Sequence, residues 1–135
     1  MFKLRKIITS GVNVPEPEYL ETMGGYDVAP GSALVSHDGV LTVGAQDEKP
    51  THISLQYLKE DDCRVICYRI LPTMLFEVEV IGSNITNIFK GDKLGLYCSP
   101  YGMTALTDTT EGGVATVYDC NNAKKSGDTM YVTFD

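Results

Sequence analysis

Apolar and polar positions alternate at period two along most of this chain, the pattern of strands with one buried face. In Met74–Ile81, Met74, Phe76, Val78 and Val80 fall on one side and Glu77 and Glu79 on the other. This predicts a half-buried antiparallel strand that ends at the turn Gly82-Ser83-Asn84. Residues 63–70 set Cys63, Val65 and Cys67 against Ile66, Tyr68 and Ile70, a candidate central strand covered on both sides. Leu71-Pro72-Thr73 interrupts the ladder, because proline has no N–H to donate, and the two strands are expected to form a hairpin. Residues 52–58 alternate Ile53, Leu55 and Tyr57 with His52, Ser54 and Gln56, followed by the acidic turn Glu60-Asp61-Asp62. Residues 33–36 and 40–43 flank His37-Asp38-Gly39, where Asp-Gly between β-formers predicts a tight hairpin. Further strands are expected over 93–98, 103–106, 113–119 and 129–134.

Helical spacing is scarce. Residues 16–23 have room for two turns at most between Pro15 and Pro17 on one side and Gly24-Gly25 on the other, and residues 84–89 for a single turn. The fold class read from the pattern is therefore mainly β, a single antiparallel barrel-like or sandwich domain over residues 32–135. It is preceded by an N-terminal strand and extended arm over residues 1–31. Within that arm, residues 9–31 carry three prolines and four glycines without sustained periodicity. Their apolar residues Val12, Val14, Leu20, Met23 and Tyr26 are numerous for a solvated linker, so they are the candidate partner-binding residues, expected to be covered by another subunit or a lattice.

Composition narrows the function classes. A chain of 135 residues with 43% hydrophobic and 21% charged residues has the make-up of one globular domain. Its net charge of −7 opposes phosphate backbones and anionic lipid, so neither nucleic acid nor membrane is an expected partner. Near the start, Lys3, Arg5 and Lys6 precede only Ile7-Ile8, too short a run for a signal peptide, and no window reaches the length of a membrane span. Secretion by a signal peptide is not expected. The cysteines Cys63, Cys67, Cys98 and Cys120 are separated by three, thirty and twenty-one residues, without a Cys-x-x-Cys pair. They read as reduced core thiols rather than zinc ligands.

No cluster names a reaction. Ser36-His37-Asp38 holds the residue types of a hydrolase triad, but neighbours on a strand point to opposite faces. Glu77 and Glu79 share a strand face, as carboxylates on any sheet surface do. Asp108 to Gly112 lacks the alternating ligands of a calcium loop, and no phosphate-binding glycine pattern occurs. Tyr57, Tyr68, Tyr97, Tyr118 and Tyr131 sit in strand patterns and read as core or rim packing. Gly91-Asp92 and Gly127-Asp128 repeat Gly-Asp-x-apolar-x-apolar 36 residues apart, a turn device in which glycine takes positive φ and aspartate bonds the following backbone. No catalytic residue, cofactor or metal is expected.

The stretch Ala29-Pro30-Gly31-Ser32-Ala33-Leu34-Val35, then Asp38-Gly39-Val40-Leu41-Thr42-Val43, then Pro50-Thr51-His52-Ile53-Ser54, resembles the opening of small head-decoration proteins of tailed phages and prophages. The resemblance implies a capsid auxiliary or cement protein: a non-enzymatic, barrel-like body, often trimeric, whose N-terminal arm pairs with the lattice of the major capsid protein. It implies a place in the virion, or in the host cytoplasm during assembly. The four cysteines and the basic start depart from that pattern. A small-ligand or carbohydrate-binding β module and a minor tail or baseplate component are the competing readings, with an enzyme last.

Overall fold

The computed structural model describes residues 1–7 and 15–135. The strands are β1 (Lys3–Ile7), β2 (Glu18–Glu21), β3 (Ala33–His37), β4 (Val40–Thr42), β5 (His52–Ser54), β6 (Arg64–Arg69), β7 (Met74–Ile81), β8 (Lys93–Leu94), β9 (Leu96–Ser99), β10 (Gly102–Thr107), β11 (Ala115–Asp119) and β12 (Thr129–Thr133). One 3-10 turn, Ile85–Asn87, is the only helical element among the described residues. The sheet runs β2-β6-β5-β3-β10-β7-β12-β11-β8, with β1 on β7, β4 on β3 and β9 on β10. The mainly β reading holds, but the sheet is mixed. β10 lies parallel to β7, with Leu106 beside Val80, while every other strand pair is antiparallel. A parallel pair needs a long return connection, which the 3-10 turn, β8 and β9 provide.

β7 is the spine. It pairs with β1, β12 and β10, and Met74, Phe76, Val78 and Val80 are all fully buried, as their alternation requires. Phe76 meets Phe2 edge-on at 6.2 Å between ring centroids and Phe134 at 5.7 Å. Phe2 and Phe134 close the triangle at 5.6 Å. Burying one such ring stabilises by about 1.5–3 kcal/mol, and each well-set aromatic pair adds about 0.5–1.5 kcal/mol. On the other face of β7, Glu77 pairs with Arg5 and accepts the Thr129 hydroxyl at 3.4 Å, and Glu79 faces the amino group of Met1. These two carboxylates are therefore tied into the sheet's outer surface.

A second, smaller core lies at the other end, where Val28, Leu34, Leu41, Leu58, Val65 and Cys67 pack together with Leu20 and Val43 against them. The sheet curls around this cluster: Thr22 bridges to Leu41, and Val28 and Leu58 exchange a pair of 2.8 Å backbone hydrogen bonds. The Asp38-Gly39 turn joins β3 to β4 as expected, with both residues at positive φ (54° and 84°), the type I′ geometry that matches strand twist.

Several local expectations change. β6 and β7 do not form a hairpin. β6 lies between β2 and β5, so Leu71-Pro72-Thr73 carries the chain from the small core to the spine. The strand expected over 52–58 stops at Ser54, whose hydroxyl donates to the Gln56 carbonyl at 2.7 Å and turns the chain off the ladder. Residues 16–23 hold strand β2 rather than helical turns. The segment 1–31 thus gives two strands to the sheet, β1 on β7 and β2 on β6, and body strands begin at Lys3, not near Ala33. In the Gly-Asp echo both glycines take positive φ, but the aspartates bond backward. Asp92 accepts the N–H of Phe89, and Asp128 those of Lys124 and Lys125.

Two outcomes follow for stability. Phe76→Ala is expected to cost about 3–5 kcal/mol in urea unfolding followed by circular dichroism, with a loss under about 1 kcal/mol placing Phe76 outside the core. Deleting residues 1–25 removes β1, β2 and Phe2, so the truncated chain is expected to lose its cooperative transition or shift it to much lower urea. An unchanged midpoint would mean that the pairings of β1 and β2 add nothing to the body.

Candidate functional site

The five arm residues do not form one surface. Val12 and Val14 lie outside the described residues. Leu20 turns into the small core of its own chain, and only Met23 and Tyr26 face solvent, at 70% and 53% exposure. Exposed apolar surface gathers instead on the outer face of β2 and β6. Tyr19 sits opposite Ile66 across the ladder, and Leu55 donates its backbone N–H to Ile66 at 2.8 Å. All three are exposed, and Arg64 lies over the Tyr19 ring at 5.6 Å. The reason is geometric: this face is continuous with the inward face of Ile53 and Tyr68, but β2 and β6 run past the main core and nothing described covers them. Tyr57 and Tyr101 are exposed too, and Tyr57 shares a shallow hollow with Asp27, Lys59, Glu60 and Asp61. Three carboxylates against one lysine leave this rim net acidic. Of the strand tyrosines, Tyr68 is buried, whereas Tyr57, Tyr97 and Tyr118 are more exposed than core packing requires.

The opposite face holds a buried polar group. His52 and Ser54, which share one side of β5, are 4% and 1% exposed, because β2 and β4 wrap this face into the small core. Register places Glu18 opposite Cys67, Cys67 opposite Ser54 and Arg69 opposite His52, so side chains from three strands meet at one end of that core. Thr51 Oγ1 accepts the Ser36 N–H at 2.9 Å and lies 2.8 Å from His52 Nδ1. With the hydroxyl proton given to Nδ1, the imidazole carries its own proton on Nε2. Nε2 faces Glu18 Oε2 at 3.6 Å, too far for a hydrogen bond, and both atoms are buried without a partner among the described residues. Burial lowers the His52 pKa, with the Arg69 charge adding to it and Glu18 opposing.

Cys67 donates weakly to the Glu18 carbonyl at 3.7 Å, and its thiol is pushed up to about 11 by burial and by the Glu18 charge. A thiol held protonated at neutral pH is the reverse of an activated nucleophile. The expectation of core thiols holds for Cys67 alone. All four cysteines are free, Cys63 and Cys98 are exposed, and Cys120 is half-buried with its Sγ toward the Ile88 carbonyl. The Ser36-His37-Asp38 trio is dispersed: Ser36 N–H bonds Thr51, His37 Nε2 lies 2.7 Å from Glu48, and Asp38 occupies the turn. Among the described residues no three His, Cys, Asp or Glu side chains converge as metal ligands. No protein-family model and no curated protein matches this chain.

The His52 site carries a signed pH prediction. Its folded pKa lies below the unfolded 6.5, so the unfolded chain binds more protons between the two values, and stability falls as pH drops through that window. The slope for one proton is at most about 1.4 kcal/mol per pH unit. Asp128 is held below the ordinary carboxylate range by the Lys124 and Lys125 N–H groups, and Asp135 by the Thr116 hydroxyl. They act only at more acid pH. Urea unfolding from pH 7.5 to 5 is expected to show this decline in the native chain and a flatter profile in His52→Gln, and equal profiles would contradict it.

Proposed function

We propose that this chain is a non-enzymatic structural protein that works by contacts with other protein surfaces, with decoration of a phage capsid as its specific role. The observation that carries the reading is the exposed cluster of Tyr19, Leu55 and Ile66 on one face of paired strands. Contiguous apolar and aromatic side chains with a polar rim are the composition of an interface core rather than of free surface. The acidic rim of Asp27, Glu60 and Asp61 favours a partner face with basic residues around an apolar centre. The Pro-Gly and Asp-Gly resemblance supplies the capsid assignment, and the protonated state of Cys67 speaks against covalent catalysis.

In this reading the partner-binding surface moves from the arm to the β2 and β6 face, with Met23 and Tyr26 at its margin. Copies of the chain, in trimers as the resemblance implies, and the coat lattice are its two expected partners. Light scattering on the native chain and on Ile66→Asp tests self-association, and co-sedimentation with capsid shells tests the lattice. Ile66 is exposed, so its substitution is expected to leave the unfolding midpoint within about 0.5 kcal/mol. The expected result is loss of the oligomer, of capsid binding, or of both in the variant. A native chain that is monomeric and does not sediment with capsids would overturn the proposal, as would a variant that assembles unchanged.

A further inference from the structure

Beside the buried His52, on the side away from the Tyr19 and Ile66 patch, an open groove of about 560 Å³ is walled by Lys49, His52, Arg69, Ile70, Pro72 and Phe134. Its charge runs against that of the molecule. The chain carries −7 overall, yet the two charged residues on these walls are both cations, and neither has an ion-pair partner within 4.0 Å among the described residues. Neither neighbouring carboxylate pairs with these cations. Glu18 faces His52 without a hydrogen bond, and Asp135 accepts the Thr116 hydroxyl at 2.8 Å, with Lys49 adding only a minor part of the field that acts on it. The polar walls rest on an apolar floor, and one of them is a histidine that is buried and rigidly seated by Thr51.

We infer that this groove binds a carboxylate carried on a short apolar body, with the head between Arg69 and Lys49 and the body against Ile70 and Pro72. A guanidinium offers a planar pair of donors that fits a carboxylate, and a lysine supplies a second point charge. A single negative charge suits the site better than a phosphate dianion, because the Glu18 carboxylate lies just behind His52 and repels added negative charge. Mixed apolar walls with a few convergent polar groups and a histidine of shifted pKa are the features of a small-molecule site. The same chemistry arises from a free organic acid or from a peptide whose last residue is apolar. The inference stands on residues that the assembly surface does not use, so either can fail alone.

The test is a nitrogen-proton NMR titration of the full chain with benzoate, beside neutral benzamide and inorganic phosphate. Benzoate is expected to shift the amides of Lys49, His52, Arg69 and Ile70 saturably. Benzamide, and benzoate on Arg69→Gln or Lys49→Gln, should bind about tenfold more weakly, the loss of one charge-assisted contact. Both side chains are exposed, so unchanged spectra elsewhere will show that the variants fold. No saturable shift, equal binding of benzamide, or displacement of benzoate by equimolar phosphate would overturn the inference. A dipeptide ending in Phe, with its carboxyl free or amidated, separates the sources. Tighter binding than benzoate that amidation abolishes assigns a peptide terminus, and weaker binding assigns a free acid, each in support of the site.

Discussion

The close packing of one side of β7 is the constraint that orders the rest of the molecule. Met74, Phe76, Val78 and Val80 leave no surface exposed, and the strand that carries them is paired with β1, β12 and β10. A slip of one residue would turn Glu77 and Glu79 into the core, so the register of all three neighbours is fixed by this one row. Phe76 then draws in Phe2 and Phe134 from distant parts of the chain. The parallel pairing of β10 follows from the same demand. Once β12 and β1 occupy the edges of β7 along most of its length, β10 can join only at Val80 and Ile81.

The other end of the sheet is built on weaker terms. Its core is a handful of aliphatic side chains and one thiol, closed by two isolated bridges rather than full ladders. It also tolerates an unpartnered His52 Nε2 and Glu18 Oε2 among the described residues, and each such buried group typically costs about 1–3 kcal/mol. Yet both candidate surfaces lie here, the apolar face of β2 and β6 outside and the cationic groove beside His52. A rigid half that carries the stability leaves the other half free to present side chains that do not serve it.

What was legible in the sequence has local signals. The alternation in Met74–Ile81, the Asp38-Gly39 turn and the Gly-Asp echo each depend on a few adjacent residues. An N-terminal strand was expected, but not its place in the body, since its partner β7 lies far along the chain and no local pattern reports a distant pairing. β2 was hidden by Pro15 and Pro17, which suit a loop as readily as the lead-in to an edge strand. Adjacency made β6 and β7 look like a hairpin, although β6 pairs with β2 and β5 and gives Val65 and Cys67 to the small core. The His52 site left no motif at all. Glu18, His52, Cys67 and Arg69 meet only through the β2, β6 and β5 register, and alternation at period two does not report a second layer over the His52 side of β5.

Native-state amide hydrogen exchange, read residue by residue, tests most directly the claim that β7 binds the chain's first strand into the body while β2 stays with the less stable end. Amides of β1 that bond to β7 should share the slowest class with β7 and β12 and exchange only on global unfolding, while those of β2 open earlier. If β1 exchanges as fast as exposed turns while β7 and β12 remain protected, the first strand is a detachable arm and the account of the spine is wrong.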